Sequence, residues 1–126
     1  MRFISLSALL VICLLCVGCD GQKLKPVQGK VTYGGEPIAS GVITFVPDGS
    51  KGNNGAGTAA EIKDGQYTLA KKFGIVGGHY HVIISGNDGV VAEDFPVGKP
   101  LFPDYKIKYE FKDGETTFDA DVPRKK

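Results

Sequence analysis

The segment "AGTAAEIKDGQYTL" constrains the fold of this chain more than any other part of the sequence. On both sides of Asp64 and Gly65 the side chains alternate between two types, and alternation with a period of two is typical of β-strands. An Asp-Gly pair between two such runs favours a type I′ turn, whose twist matches that of the flanking strands. The segment therefore predicts a tight antiparallel hairpin.

Short strands and turns continue along the chain. The sequence holds 18 glycines and 7 prolines, and beyond the first 18 residues no apolar stretch has helical periodicity. Gly34 and Gly35 predict a turn after a first strand, and Asp113 and Gly114 predict a second Asp-Gly hairpin. About seven strands spaced in this way predict an all-β fold, an antiparallel β-sandwich forming one domain over residues 26–123.

Three stretches lead to more detailed predictions. The run "GVITFVP" (41–47) is apolar on both faces, which predicts a central strand buried on one side and covered by a loop on the other. The run "DGSKGNNG" (48–55) has nothing to bury, so it predicts a mobile loop because nothing offsets the entropy lost on ordering. The basic tail, residues 124–126, predicts a frayed, solvated terminus.

The first 18 residues have the composition of an export signal. Arg2 precedes an apolar run from Phe3 to Gly18, and polar "DGQKLK" follows Cys19. This order is typical of a secretory signal peptide, and a run of about 16 residues is short for crossing about 30 Å of hydrocarbon. A cysteine metal knuckle does not fit, since Cys13 and Cys16 lie inside the apolar run and no cysteine follows Cys19.

The four residues from Cys16 to Cys19 resemble the lipobox of bacterial lipoproteins, in which the last cysteine is lipidated and becomes the new N-terminus. The resemblance implies a signal peptide over residues 1–18, acylation of Cys19 by chains such as palmitate, and a polar tether over residues 19–25. Cys16 stands where the lipobox usually has leucine, and simple secretion or an uncleaved anchor are the alternatives. Two acyl chains suffice for stable anchoring, so we expect an exported protein, lipid-anchored to a bacterial membrane and facing the periplasm or the cell exterior.

Removal of the signal peptide leaves a neutral chain. Lys+Arg falls from 15 to 14 with the loss of Arg2, against 14 Asp+Glu. A nucleic-acid-binding protein needs a clustered basic face, and the positive residues here are scattered apart from Lys71 and Lys72 and the tail, so no nucleic-acid partner is expected. A mature monomer has no spare cysteine for a disulfide, and its stability must come from an apolar core.

The order of segments in the mature chain resembles the carboxypeptidase regulatory-like domain, a transthyretin-like β-sandwich found in many short bacterial lipoproteins. The motifs that carry the resemblance are a Gly-x-Val and a Phe-x-Pro within residues 27–47, Asp64-Gly65-x-Tyr67, Gly78-x-Tyr80-x-Val82, and the final "FPDYKIKYEFKDGETTFDADVP". All of these motifs are structural. The resemblance therefore implies a fold rather than a reaction. Transthyretin-like domains often pair edge strands, so a homo-oligomer that pairs through edge strands stays open as an alternative to a monomer.

One transthyretin-like branch hydrolyses 5-hydroxyisourate with two histidines, an arginine and a C-terminal Tyr-Arg-Gly-Ser. This chain lacks that set, because its first strand, Val27–Tyr33, has no histidine and its end reads Val-Pro-Arg-Lys-Lys. Ser40, Ser50 and Ser85 lie outside any nucleophile motif such as Gly-x-Ser-x-Gly. We expect no enzymatic activity and no cofactor, and a hydrolase of this type is the less favoured alternative.

Two pairs of side chains are candidate metal ligands. His79 and His81 are two residues apart on a strand, so they share a face at a spacing of about 7 Å, but no third ligand lies nearby and zinc sites need at least three. Asp119 and Asp121 also share a face, and they fit the outward half of an amphipathic strand. We expect both histidines to point outward beside an inward Tyr80; a small-ligand or metal-binding carrier is the alternative function.

Phe102, Tyr105 and Tyr109 lie in and after the Pro-rich segment "FPVGKPLFPDY". Stiff loop aromatics present a contact surface in some proteins and close the end of the core in others, and both interpretations stay open here. If they form a surface, its partner is an envelope protein or a glycan. The sequence thus predicts a membrane-tethered, non-enzymatic domain that acts in binding or scaffolding at the cell envelope.

Overall fold

A computed structural model describes residues 23–124. The predicted signal peptide, Cys19 and the last two residues lie outside the described residues. The described chain is nearly all β, which confirms the predicted all-β fold. Its strands are β1 (Val27–Tyr33), β2 (Glu36–Pro37), β3 (Ser40–Pro47), β4 (Thr58–Lys63), β5 (Gln66–Leu69), β6 (Gly78–Asn87), β7 (Tyr105–Phe111) and β8 (Ala120–Val122), and its two helical segments are single 3₁₀ turns at Gly49–Lys51 and Lys71–Phe73.

The strands hydrogen-bond into one curled sheet in the order β2-β1-β5-β4-β3-β6-β7, with β8 also beside β1. Every pair of these strands is antiparallel except β1 with β8. The curl arises at β1, because its first half, residues 27–30, pairs with β5 while its second half, residues 31–33, pairs with β8. Since the hydrogen bonding is continuous, the two separate sheets of a sandwich stay a prediction.

The hairpin predicted at Asp64 and Gly65 is confirmed. Their φ angles are 51° and 77°, and a type I′ turn requires a positive φ at both central residues. The turn predicted at Gly34 and Gly35 is also present, between β1 and β2, with φ angles of 58° and 86°. The residues of these two turns therefore determine the connection between β4 and β5 and the connection between β1 and β2.

The hairpin predicted at Asp113 and Gly114 is wrong. The chain turns there, but the segment that follows leaves β7 and pairs with β1 in parallel. In that position Phe118 and Val122 are buried, and the Phe118 ring packs against Phe45, Tyr109 and Phe111. The burial of these two side chains outweighs the local preference for a hairpin.

One face of the curled sheet encloses a single core. Aromatic rings fill its centre, with centroids 4.7 to 6.4 Å apart in tilted and edge-on pairs, the arrangements that aromatic pairs prefer. The rings belong to Phe45, Tyr67, Tyr80, Tyr109, Phe111 and Phe118. Aliphatic side chains from β1, β3, β4 and β6 surround them.

The outer face of β3 is not covered by a loop, contrary to the prediction. Val42 and Val46 are exposed there. Because β3 lies between β4 and β6 in the sheet, the outer neighbours of its valines are strand side chains such as Glu61 and His81. The connections of β3 stay at the two ends of the sheet.

The segment 48–55 does have a side chain to bury, so that part of the loop prediction is wrong. Asn53 is 8% exposed; its amide donates to the carbonyl of His79 at 2.9 Å, and its backbone N–H donates to the carbonyl of Asp48 at 3.1 Å. Asp48 in turn caps the 3₁₀ turn by accepting from the backbone N–H of Ser50. The prediction considered apolar side chains alone and therefore missed polar anchors.

The C-terminal residue of the described chain is also anchored. Arg124, predicted to belong to a frayed tail, donates from Nη2 to Glu36 Oε2 at 3.0 Å. Its guanidinium carbon lies 4.9 Å from the centre of the Tyr33 ring, a distance suited to a cation–π contact. The two lysines after it lie outside the described residues.

Candidate functional site

The predicted anchor and the first strand lie close together in the chain. Lys23 is four residues after Cys19, and two residues further on Lys25 exchanges both backbone hydrogen bonds with Ile75, at 2.8 and 3.0 Å. Ile75 precedes the start of β6, so the tether joins the sheet at the end where β6 begins. Within residues 23–124 no helix is long and apolar enough to cross a bilayer.

His79 and His81 lie on the outer face of β6, while Tyr80 between them is buried. Each histidine has a carboxylate partner: His79 Nε2 lies 2.9 Å from Glu110 Oε2 on β7, and His81 Nε2 lies 3.2 Å from Asp48 Oδ2 after β3. These carboxylates approach from opposite sides, because β6 lies between β3 and β7. Each imidazole therefore pairs with its own carboxylate, and the two histidines share no partner.

No metal site forms around these histidines in the part of the chain that the structure describes. There, no group of three or more His, Cys, Asp or Glu side chains is placed to hold a metal ion. Asp48 makes other hydrogen bonds as well, because its Oδ1 accepts from both the hydroxyl and the backbone N–H of Ser50. These hydrogen bonds, led by that of the hydroxyl, lower the pKa of Asp48.

Phe102, Tyr105 and Tyr109 do not form one patch. Tyr105 and Tyr109 are four residues apart on β7, about 13 Å along the strand, and the ring of Phe102 packs on Tyr33 with a centroid distance of 4.9 Å. All three are partly buried and pack against the core. Their positions match the interpretation in which they close the core.

Tyr109 has a hydrogen bond that sequence reasoning did not anticipate. Its hydroxyl donates to Glu115 Oε2 at 2.6 Å, and Glu115 Oε1 accepts from the backbone N–H of Lys112 at 3.0 Å. The bond to the carboxylate raises the pKa of Tyr109 and lowers the pKa of Glu115, as expected when a phenol donates to an anion. Glu115 therefore holds the turn after β7 in place.

Asp119 and Asp121 also bind the protein's own backbone. Asp119 Oδ1 accepts from the N–H of Lys30 at 2.7 Å, and Asp121 Oδ1 accepts from the hydroxyl of Thr32 at 2.6 Å and the N–H of Gly35 at 2.9 Å. Both carboxylates thus attach β8 and the residues before it to β1 and the turn that follows. This arrangement gives them a structural role.

Three of the exposed large apolar side chains of residues 23–124, including the two most exposed, lie in the connection between β6 and β7. Val90, Val91 and Val97 are 66%, 74% and 54% exposed; we call residues 88–99 the valine loop. The loop is tied at its base, because Asp88 Oδ1 accepts from the N–H groups of Val90 and Lys99 at 2.9 and 3.0 Å. A hydrogen-bonded base that holds exposed valines is suited to contact with an apolar surface.

Sequence reasoning missed these valines. The signal was present in "NDGVVAEDFPVGK", where valines stand among turn-forming and acidic residues and have no alternating strand partners. Such valines have no core to enter.

Comparison of the chain with family models, with curated proteins and with solved structures gives no match. The resemblance to the carboxypeptidase regulatory-like domain therefore stays a prediction.

Proposed function

We propose that the protein is a lipid-anchored, non-enzymatic domain of the bacterial cell envelope that binds a partner protein through its valine loop. The observation that carries the proposal is the placement of the two ends of β6. The tether joins the sheet beside Ile75, before β6 begins, and the valine loop follows Asn87, where β6 ends. Ten residues of strand separate these ends by about 30 Å.

This geometry suits a tethered binding domain. A chain held by acyl chains on Cys19 keeps the tether end near the bilayer, so the valine loop points away from it and is accessible to other envelope proteins. Exposed apolar groups on a rigid, hydrogen-bonded loop lose little conformational entropy on binding. An apolar contact of this kind favours a protein partner over a glycan.

The anchor is tested by metabolic labelling with an alkyne analogue of palmitate. We expect label in the membrane fraction of the wild type and none in Cys19→Ala, which keeps its signal peptide. Unlabelled wild-type protein in the soluble fraction would contradict lipidation. Because labelling does not depend on the valine loop, it tests the anchor alone.

The binding surface is tested by placing a photo-crosslinking amino acid at Val91 in cells that carry the anchored protein. We expect a discrete adduct with one envelope protein, and we expect Val90→Ser with Val97→Ser to remove it. The matched control has the crosslinker at Glu61, an exposed position on β4. Equal adducts at both positions, or none at Val91, would count against the valine loop as the binding surface.

A further inference from the structure

A shallow apolar groove lies at the tether end of the sheet. It has a volume of about 480 Å³, and its lining includes Leu24, Gly57, Thr58, Lys72, Phe73 and Val76. Leu24 and Phe73 are 39% and 56% exposed. We call this region the tether-end groove.

The exposed ring of Phe73 is held in place by its backbone. Phe73 ends the 3₁₀ turn Lys71–Phe73, its N–H donates to the carbonyl of Ala70 at 2.9 Å, and its own carbonyl accepts from the hydroxyl of Thr58 at 2.7 Å. The hydrogen bonds between Lys25 and Ile75 fix Leu24 beside the same turn. The two apolar side chains thus share one end of the molecule in a fixed arrangement.

One lysine contacts this apolar pair, and two more lie next to it in the sequence. Lys23 and Lys71 are exposed, and the ammonium of Lys72 lies 4.9 Å from the centre of the Phe73 ring. Asp113, an acidic group at the same end, pairs with Lys25 at 3.6 Å. An exposed phenylalanine and leucine with exposed lysines next to them in the sequence match the boundary of a bilayer, where apolar groups enter the acyl region and ammonium groups meet anionic headgroups.

The tether is short enough to bring the groove to such a boundary. Leu24 is five residues after Cys19, and five extended residues span at most about 18 Å. We propose that the tether-end groove docks on the surface of the anchoring membrane, with Phe73 and Leu24 inserted at the headgroup level and Lys71 and Lys72 against anionic lipid. This inference rests on the proposed anchoring at Cys19. It adds a second contact that fixes the orientation of the domain, so that the valine loop points outward.

The chain contains no tryptophan, so a single introduced tryptophan reports on its own position. Lipidated Phe73→Trp protein is reconstituted in vesicles of phosphatidylcholine and phosphatidylglycerol. We expect tryptophan emission to move to shorter wavelength and to be quenched by lipids brominated on their acyl chains. The matched control is Val91→Trp in the valine loop, which we expect to stay unquenched with solvent-exposed emission.

Charge reversal tests the lysines. In the Phe73→Trp protein, Lys71→Glu with Lys72→Glu should lower quenching, and the affinity of a non-acylated form for the same vesicles should fall on the order of tenfold or more. Charge reversal at Lys106 and Lys108, which are exposed on β7, should change neither the quenching nor the affinity for vesicles. If Phe73→Trp fails to fold by circular dichroism, Leu24→Trp gives the same measurement from the other side of the groove.

Mass spectrometry of the N-terminus separates the two proposals. Acylated protein whose Phe73→Trp emission matches that of Val91→Trp would overturn docking and leave the anchor intact. Protein without acyl chains would overturn the anchor; quenching of Phe73→Trp at saturating vesicle concentration would then still support docking, and its absence would refute it.

Discussion

A single buried hydroxyl joins β5 to the segment just before β8, which is distant in sequence. Tyr67 on β5 is 3% exposed, and its hydroxyl donates to the carbonyl of Phe118 at 2.6 Å. Burial raises the pKa of Tyr67, and the charge of Asp119 acts in the same direction. The hydroxyl therefore keeps its proton and remains a donor throughout the neutral range.

Removal of this hydroxyl should destabilise the fold. Tyr67→Phe leaves the buried carbonyl of Phe118 without its donor, and we expect the free energy of unfolding to fall by about 1–2 kcal/mol. Urea denaturation followed by circular dichroism measures the change. Tyr105→Phe is the control, since the Tyr105 hydroxyl has no hydrogen bond within residues 23–124, and its effect should stay below about 0.5 kcal/mol. Equal losses in the two variants would contradict the role assigned to the hydrogen bond.

For single residues, the sequence predicts which face of a strand a side chain lies on better than it predicts which other residue that side chain contacts. Alternation correctly places Tyr80 inward and His79 outward, because the period of a strand is a local property. It does not predict that Glu110 lies beside His79, since that neighbour depends on how β6 and β7 pair. Asn53 is a similar case, because its partner is a carbonyl 26 residues further along the chain.

At the scale of elements, β8 shows how non-local packing overrides a local signal. The strand lies parallel to β1. A side chain at Gly29 would overlap the carbonyl oxygen of Phe118, so the segment just before β8 approaches β1 at this point because residue 29 is glycine. The Asp64-Gly65 turn joins strands that are adjacent in the sheet, which is why local reasoning predicts it. No local pattern after Asp113 specifies a crossing to β1.

Asp121 makes the attachment of β8 dependent on pH. Its hydrogen bonds with the hydroxyl of Thr32 and then with the N–H of Gly35 lower its pKa below the usual value of 3.8. A carboxyl group whose pKa is lower in the folded state stabilises the fold above its unfolded pKa, and this contribution is lost as the pH falls through the folded pKa. Protonation of Asp121 in acid therefore weakens the attachment of β8.

The substitution Asp121→Asn keeps an acceptor oxygen and removes this titration. We expect its melting temperature to lie below that of the wild type at neutral pH, and we expect the gap to narrow between about pH 5 and about pH 2. Asp104→Asn is the control, because Asp104 is exposed and its melting curves should follow the wild type at each pH. A difference in melting temperature between Asp121→Asn and the wild type that stays constant in acid would show that the charge of Asp121 does not contribute to stability.

For the molecule as a whole, the described residues form a single core. Buried side chains from seven of the eight strands, all except β2, meet in one cluster, and a chain of about 100 residues buries roughly two-thirds of its unfolded surface. The same curled sheet separates the tether end from the valine loop. Composition and alternation predict the all-β core, whereas this separation depends on the order of strands in the sheet.

We therefore expect the chain beginning at Asp20 to fold by itself, without lipid, metal or disulfide. Its far-ultraviolet circular dichroism spectrum should be that of a β protein, unchanged by chelator or reducing agent, and urea should unfold it in one cooperative transition, as is usual for a single small domain. The matched control is the same chain with Phe45→Ala, which removes a ring at the centre of the core and should lower the free energy of unfolding by about 3–5 kcal/mol. A spectrum dominated by helix, or unfolding when chelator is added, would show that burial of this core alone does not hold the fold together.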